Sequence, residues 1–430
     1  MKKSALIILF LLVVEFFSFV QVFANTNIMT DIVYVDGDNG FSPSIWSGSG
    51  SQNDPFVLSN CRITDNPTLF AIFIQNTNKY FIIENCVLAR NRAGIVIKNA
   101  DNGVIRHNHI FGNNQDGIAL SQVQNVNISN NVVTGNTRYG LNAGFKNLYF
   151  NVSLVTIETA ENRQLNIYKN DISSNSDGLV LNKTNYNNII DNDINYNYQN
   201  GMYLKSSIKN NMSDNNIQFD GTGIKLEYSP NNLIENNTIN FADSSISIYR
   251  SNYLIICGND VLNDYLVAIQ AKDSNASYIE LNNINFNRWG IQFDNCNNAS
   301  IVYNYFINNS EYAVFLNFLS NSNNISFNNF IDNQWITYQG SGTKQAYDNS
   351  GQNTWSNNYW SDLGSSTTYA LDPASNTAKD NSPSPNQIDL STRSCSSTFN
   401  NNPPGTYGYE FLSILIIPLV IVIKKKRIKK

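Results

Sequence analysis

The stretch that decides the fold is Ile189-Ile-Asp-Asn192-Asp-Ile194, followed after six intervening residues by Gly201-Met-Tyr-Leu204. The first phrase has an apolar residue, two further residues, Asn, any residue and a second apolar residue, and it recurs mostly at about 22 or 23 residues. The second phrase is a short strand that begins at Gly, and it recurs with the first. A period of about 20–25 residues with several short strands and no helical pattern predicts a β-solenoid.

The repeated Asn occupies one register of the predicted coils. Equivalent residues of neighbouring coils lie about 4.8 Å apart, so we expect their amides to form a hydrogen-bonded ladder. We predict a single domain of about a dozen coils over residues 54–335, because each coil buries its apolar face only against its neighbours. Asn151 is the expected copy in a degenerate coil. The ladder residues are Cys61, Cys86, Asn108, Asn131, Asn170, Asn192, Asn215, Asn237, Asn259, Asn282, Asn304 and Asn328.

Three stretches of the chain resemble the NosD-like branch of the right-handed parallel β-helix proteins, within the pectin-lyase-like superfamily. They are residues 48–58, 61–328 and 353–362, and the first and last resemble segments of archaeal surface members. The resemblance implies an all-β fold with a single right-handed parallel β-helix. The superfamily includes lyases, hydrolases, binding modules and copper-site maturation factors, so the resemblance implies no single activity. No catalytic motif of the family is identified in this chain.

The composition limits the function classes. Of 430 residues about 75 are Asn, only 14% are charged, the net charge is −5, and two are His. The absence of a basic excess argues against nucleic-acid binding, and the few His argue against a dense metal cluster. An apolar content of 42% with 23 Tyr and 24 Phe argues against general disorder.

The two ends of the chain predict export and attachment to a membrane. Lys2 and Lys3 precede an apolar run that ends in a small-residue cleavage pattern, which is typical of a signal peptide, although an uncleaved anchor is the alternative. Basic residues that follow an apolar segment remain in the cytoplasm, so we expect a cell-surface, single-pass protein with its N-terminal domain outside. A C-terminal sorting tag that is removed is the alternative for the tail. The predicted segments are a signal peptide (1–24), an N-terminal cap (25–53), the β-helix (54–335), a C-terminal cap (336–363), a Ser/Thr/Asn/Pro-rich stalk (364–406), a transmembrane helix (407–423) and a basic tail (424–430).

Four carboxylates are the candidate catalytic residues: Asp171, Asp191, Asp193 and Asp214. The repeat register stacks Asp171 on Asp193 and Asp191 on Asp214, on one face of three coils. Carboxyl groups about 5 Å apart suit a retaining glycosidase, and several carboxylate oxygens also suit calcium. A solvated polar face is the structural alternative.

The candidate metal ligands are Glu84, Cys86, His107 and His109. Cys, His and carboxylate side chains bind copper or zinc. Cys86 occupies a ladder position and is expected to point inward, whereas His107 and His109 flank a ladder position and are expected to point outward. These opposite directions argue against a shared metal site. A Cys61–Cys86 disulfide and two unpaired structural Cys are the alternatives. Because the chain has five Cys, at least one has no partner within it.

Outward-facing aromatic residues beside many amides make sugar-binding surfaces plausible. They include Tyr80, Tyr186, Tyr196, Tyr198, Tyr203, Trp289, Tyr303 and Tyr305. The first hypothesis is a surface protein that binds a polysaccharide or a surface glycoprotein without catalysis. The second is a polysaccharide lyase or glycoside hydrolase, and the third is a NosD-like copper-site maturation factor. The balance favours a protein that is not an enzyme, with no assigned cofactor and calcium as the alternative ligand.

Overall fold

A computed structural model describes residues 27–29, 32–144, 149–150, 153–154, 162–317, 319–333, 344–371 and 378–395. These residues form a right-handed parallel β-solenoid of about 13 turns, as the repeat predicts. The predicted signal peptide, transmembrane helix and basic tail lie outside the described residues, as does Asn151. The Asn131 Nδ2 donates directly to the Asn170 Oδ1 at 3.0 Å, and Val132 pairs with Asp171 in the next strand, so the ladder copy predicted between them at Asn151 is wrong. Within the described part, no helix has the length and apolar character needed to cross a membrane.

Three long sheets run the length of the solenoid, and successive strands of each sheet come from successive coils. Sheet A contains β1 (Asn27–Ile28), β4 (Cys61–Thr64), β7 (Val87–Ala89), β10 (His109–Phe111), β13 (Val132–Thr134), β19 (Asp171–Ser173), β23 (Asp193–Asn195), β26 (Asn216–Gln218), β29 (Thr238–Asn240), β32 (Asp260–Leu262), β35 (Asn283–Asn285), β38 (Tyr305–Ile307), β41 (Asn329–Ile331) and β44 (Tyr359–Trp360). Sheet B contains β2 (Val33–Asp36), β5 (Phe70–Thr77), β8 (Ala93–Ala100), β11 (Ile118–Ser121), β14 (Tyr139–Ala143), β20 (Asp177–Asn182), β24 (Asn200–Lys205), β27 (Thr222–Glu227), β30 (Ser244–Tyr249), β33 (Val267–Lys272), β36 (Trp289–Asp294), β39 (Val314–Leu316) and β42 (Ala346–Asp348).

Sheet C contains β3 (Phe56–Ser59), β6 (Phe81–Glu84), β9 (Gly103–Arg106), β12 (Asn127–Ser129), β18 (Asn166–Tyr168), β22 (Asn188–Ile190), β25 (Asn211–Ser213), β28 (Leu233–Glu235), β31 (Ile255–Cys257), β34 (Tyr278–Glu280), β37 (Ser300–Val302), β40 (Asn324–Ser326), β43 (Thr354–Ser356), β46 (Lys379–Asp380) and β45 (Tyr369–Ala370). Two short pairs stand apart from the long sheets: β15 (Tyr149–Phe150) with β16 (Ser153–Leu154), and β17 (Asn162–Arg163) with β21 (Thr184–Asn185).

The core is a set of apolar columns along the solenoid axis. Strand alternation turns every second side chain inward, so that Ile194, Ile217 and Ile239 stack in sheet A and are fully buried. At the C-terminal end, the ring of Trp360 stacks on Phe330 at 4.1 Å and on Tyr369 at 3.9 Å. These aromatic rings close the open end of the core, as a terminal coil requires.

The amide ladder occupies the corner between sheets C and A. The Asn192 side chain donates to the Asn215 Oδ1 at 3.0 Å, and Asn215 donates in turn to the Asn237 Oδ1 at 2.9 Å. Each Nδ2 also donates to a main-chain carbonyl of the preceding coil, such as Asn215 to Ile189 O at 2.9 Å. The buried polar atoms of this corner therefore satisfy one another along the stack.

A second ladder, which the repeat did not reveal, lies five residues later at the corner between sheets A and B. It consists of Asn91, Asn113, Asn136, Asn175, Asn197, Asp220, Asp264, Asn287, Asn309 and Asn333, and Ala242 separates the two Asp. Two buried carboxyl groups thus replace amides within one continuous column.

A glycine near the start of several sheet-B strands packs closely against the next coil, whereas Ser245, Ala268 and Ala313 occupy the same position in other coils. A Cβ atom at Gly178 would lie 2.6 Å from the Gly201 carbonyl oxygen and 2.9 Å from the Asn197 Nδ2. Both contacts are shorter than van der Waals distances, and both neighbours are held by hydrogen bonds in the buried corner.

We expect Gly178→Ala to destabilise the solenoid by about 1–3 kcal/mol, because the added methyl group overpacks a closely packed corner. Urea unfolding followed by circular dichroism measures the change. Ser176→Ala, two residues away in the same coil, is the matched control and should change stability by less than about 0.5 kcal/mol. Equal stabilities for wild type and Gly178→Ala would contradict the close approach of these coils.

The C-terminal region differs from the expected stalk. In residues 364–371 and 378–395, Tyr369, Leu371 and Leu390 are buried, and β45 and β46 continue sheet C. Residues 388–395, which we call the strap, cross the outer faces of sheets A and C. Over these residues the chain packs against the solenoid, whereas the sequence predicted a stalk over 364–406. This segment has few apolar residues, but Tyr369, Leu371 and Leu390 are buried in the fold.

The cysteines form two disulfides, Cys61–Cys86 in the ladder slot and Cys257–Cys395 between sheet C and the strap. Cys296 is free and buried, and burial raises the pKa of its thiol to about 12. The odd number of Cys therefore leaves one unreactive core thiol.

Candidate functional site

The four predicted carboxylates lie in two exposed columns. Asp171 and Asp193 are Cα partners on the outer face of sheet A, as the register predicts, and Asp191 and Asp214 lie at the neighbouring corner. The Asp193 carboxylate accepts a hydrogen bond from Asn216, and Asp191 lies 4.0 Å from the Lys169 ammonium. Among the described residues, no group of three His, Cys or acidic ligand atoms suited to one cation includes any of the four.

The predicted metal ligands do not converge. Cys86 is buried in its disulfide, and the Glu84 carboxylate pairs with Arg106 at 2.6 Å. His107 is exposed at a corner with φ of 54°, whereas the ring of His109 packs 4.6 Å from Phe111 on sheet A. Burial lowers the pKa of the His109 imidazole below its ordinary value. In this structure the four candidate ligands therefore lie in separate surroundings and do not form one group.

A polar network that the sequence did not reveal covers the outer face of sheet B. The Arg138 guanidinium holds the fully buried Asp116 carboxylate with two hydrogen bonds of 2.6 and 2.7 Å, and Asn142 donates to the same carboxylate at 2.9 Å. Bidentate pairs of this kind fix both side chains in place. The signal in the sequence is the separation of 22 residues between opposite charges, which equals one coil.

The network continues on the next coils. Asn200 donates to Asp177 at 2.5 Å, and Tyr203 donates to the Glu227 carboxylate at 2.6 Å, which Lys225 also approaches at 2.9 Å. Burial raises the pKa of the Asp177 carboxyl and of the Tyr203 hydroxyl above their ordinary values. We call the residues of both networks the polar face: Asp116, Arg138, Asn142, Asp177, Asn200, Tyr203, Lys225 and Glu227. Perturbed groups concentrated on one open sheet are typical of functional surfaces.

An exposed aromatic column borders the polar face at the corner between sheets A and B. The rings of Tyr196, Phe219 and Phe241 stack in parallel with centroids 4.8 Å apart, and Phe286 occupies the same corner two coils beyond Phe241. All four residues have positive φ, a conformation that costs such side chains about 1–3 kcal/mol. We call these four residues the aromatic ribbon. Of these four residues, only Tyr196 was among the outward-facing aromatic residues predicted from the sequence.

The ribbon is open to solvent. The exposed fraction is 61% for Tyr196, 42% for Phe219 and 58% for Phe286. In the same coil Tyr196 is followed by two polar-face residues, the buried Asn200 and the half-buried Tyr203. Together the ribbon and the polar face offer stacked rings beside fixed hydrogen-bonding groups.

A third feature lies under the strap. Cys257 and Glu280 are Cα partners in sheet C, and both are buried. Their ligand-type atoms and the Cys395 sulfur all lie within 4.8 Å of one another. A cleft of about 500 Å³ opens beside them and is lined by Glu235, Leu281, Tyr305, Leu390, Arg393 and Cys395, among others.

Two protein-family models match the sequence. The model of the family described as "Periplasmic copper-binding protein (NosD)" matches residues 146–317 and 221–365, which together span about half of the chain. The chain belongs to the NosD family. The model described as "Right handed beta helix region" matches residues 25–152, so the NosD-type repeats continue a β-helix that begins upstream.

Several solved structures are similar to this NosD family member. The Dettilon tailspike protein (gp208) is 16% identical with a TM-score of 0.55, covering 77% of this chain and 70% of that one. The Azotobacter vinelandii mannuronan C-5 epimerase AlgE6 A-module is 13% identical with a TM-score of 0.49, covering 68% of this chain and 88% of that one. A search of curated proteins found none with significant similarity.

Proposed function

We propose that this protein binds a polysaccharide, without cleaving it, along the aromatic ribbon and the adjoining polar face. The observation that carries the proposal is the stack of Tyr196, Phe219 and Phe241, whose exposed rings occupy corner positions that disfavour aromatic residues. Other coils have Asn263 and Asn308 at this corner, which tolerate a positive φ better. Retaining strained, exposed rings favours a role in binding over a role in folding.

The chemistry of the combined surface suits a sugar chain. The faces of aromatic rings pack against the apolar C–H face of a pyranose, and the half-buried Tyr203, Lys225 and Glu227 offer polar groups for its hydroxyls. The columns repeat at about 4.8 Å, so an extended polymer can meet the same pair of groups on several coils. A glycan on a neighbouring surface protein presents the same chemistry.

The hydrogen bonds of the polar face support binding over catalysis. The Asp116 carboxylate is occupied by Arg138, and the Glu227 carboxylate accepts from Tyr203 and pairs with Lys225. A general acid or base needs a carboxyl group within reach of the substrate proton. Asp177 is the residue that favours the alternative, a lyase or hydrolase, because its raised pKa is typical of a general acid.

Copper maturation is the other function that the family description suggests. Of the described residues, Cys257, Glu280 and Cys395 are the group whose ligand atoms could hold one ion. Their two sulfurs are joined in a disulfide and so offer no thiolate to copper. In this state the residues do not fit a copper site, and we favour the glycan-binding proposal.

Export and surface attachment belong to the same proposal. The family is described as periplasmic, and disulfides form in oxidising compartments outside the cytoplasm. The apolar segment 407–423 and the basic residues 424–430 support a single membrane anchor with the β-helix outside.

We expect the triple variant Tyr196→Asn/Phe219→Asn/Phe241→Asn to bind its polysaccharide more weakly than wild type does. For a polymer that wild type binds, the loss should be at least about tenfold, because the stacking surface is lost. Its thermal stability should not fall, since Asn suits these corners. Biolayer interferometry on the immobilised polymer measures the affinity.

Tyr253→Asn is the matched control, because Tyr253 is exposed and has positive φ at the corner between sheets B and C. This variant should bind like wild type. Unchanged binding by the triple variant, or an equal loss in the control, would exclude the ribbon as the binding surface.

A further inference from the structure

The strap is fixed to the solenoid at three places. The Ile388 main chain exchanges two hydrogen bonds with the Asn329 side chain, at 2.8 and 2.9 Å. The Arg393 guanidinium lies 3.7 Å from the centroid of the Tyr303 ring, and Cys395 forms the disulfide with Cys257. The strap therefore covers the outer side of sheet C and buries side chains that would otherwise face solvent.

Two of the side chains beneath the strap are potential metal ligands. Cys257 has no exposed surface and Glu280 is 2% exposed, although both project from the outer face of the sheet. Cys395 adds a third ligand atom from the strap, and the three atoms lie close enough for one cation to contact all of them. The adjoining cleft gives the cation and its water a route to this group.

We propose that Cys257, Glu280 and Cys395 form a redox-gated zinc site. An external dithiol reduces the Cys257–Cys395 bond, supplying two electrons and two protons, and is itself oxidised to a disulfide. The two thiols released then lose their protons as Zn²⁺ binds, and the Glu280 carboxylate is the third ligand. Zinc then holds the strap to the sheet after the covalent bond is broken.

The donor set selects zinc among the common cations. Zinc accepts thiolate and carboxylate ligands together, in tetrahedral sites. Calcium takes oxygen ligands alone, and Cu(I) favours thiolates and thioethers over a carboxylate. Three protein ligands leave one position for water from the cleft. The site is independent of the aromatic ribbon and of the glycan-binding proposal.

The test uses the full chain, reduced with dithiothreitol, freed of reductant under anaerobic conditions and titrated with Zn²⁺ against a chromogenic chelator. We expect one equivalent to bind to the reduced protein and none to the oxidised protein. Co²⁺ in place of Zn²⁺ should give a thiolate charge-transfer absorption band. Cys395→Ser and Glu280→Gln should each weaken zinc binding at least about tenfold, since each removes one ligand.

Cys61→Ser and Cys296→Ser are the matched controls, because each removes a thiol elsewhere in the solenoid. Both should retain the equivalent of zinc seen in the reduced wild type. Because Cys395 lies at the surface of the fold, its replacement leaves the solenoid core intact. The proposal is overturned if the reduced chain binds no zinc, or if binding persists in Cys395→Ser.

Discussion

Asn215→Ala should lower the free energy of unfolding by about 3–6 kcal/mol, a large share of the stability of a typical domain. The Asn215 Oδ1 accepts from the Asn192 main-chain and side-chain nitrogens at 3.1 and 3.0 Å, and its Nδ2 donates to Ile189 O. Alanine removes these bonds and leaves buried donors and an acceptor unpaired. Each buried unpaired group costs about 1–3 kcal/mol.

Asn216→Ala is the matched control for the ladder. Asn216 is the next residue, but its amide lies on the outer face of sheet A and donates to the exposed Asp193. Its replacement should cost less than about 1 kcal/mol. Guanidinium unfolding measures both variants, and similar losses at the two positions would contradict a ladder that stabilises the fold.

Asp220→Asn/Asp264→Asn should remove a pH dependence of stability that the wild type shows between about pH 4 and 8. Burial raises the pKa of both carboxyl groups from 3.8 to about 8. Each replaces an amide in the second ladder, and the Oδ2 of each has no hydrogen-bond partner among the described residues. A protonated carboxyl group can donate from that oxygen as the amide nitrogen does in other coils.

The sign follows from the raised pKa. The folded protein holds these protons more tightly than the unfolded chain, so stability is full below about pH 4 and falls as the pH rises towards 8. The loss at pH 8 is about 2–5 kcal/mol for each group. Asparagine carries no titrating proton, so the double variant should be more stable than wild type at pH 8, with a smaller difference at pH 5.

Urea unfolding at pH 5 and pH 8 measures this difference. Asp260→Asn is the control, because Asp260 is exposed on sheet A and lies between the two buried residues in sequence. It should leave the pH dependence of wild type unchanged. A wild type whose stability rises from pH 5 to 8 relative to the double variant would show that the two groups are ionised in the fold.

The period of the repeat predicted the solenoid because one local phrase, repeated about once per coil, fixes strands, corners and ladder together. The second ladder was not predicted, because Asp220, Ala242 and Asp264 interrupt its column of Asn residues. The repeat also did not explain the frequency of Asn at the corners. Many of these corner positions have positive φ, a conformation that Asn adopts more readily than most residues.

The candidate site was harder to predict than the fold. Opposite charges one coil apart could have indicated the pair of Asp116 with Arg138, because the register converts sequence spacing into contact. The strap could not be predicted, since Cys395 lies 138 residues from Cys257 in a segment whose composition is typical of a linker. Phe219 and Phe241 face outward because left-handed corners reverse the direction that strand alternation would give them.

Binding and turnover on a glycan array test the glycan-binding proposal most directly. The full-length protein is applied to immobilised polysaccharides, and the polymers that bind are then incubated with it and sized by chromatography. We predict specific binding to at least one polymer, with no change in its length and with binding reduced in the aromatic-ribbon triple variant. Shortening of the polymer that stops in Asp177→Asn, or failure to bind any glycan, would contradict it.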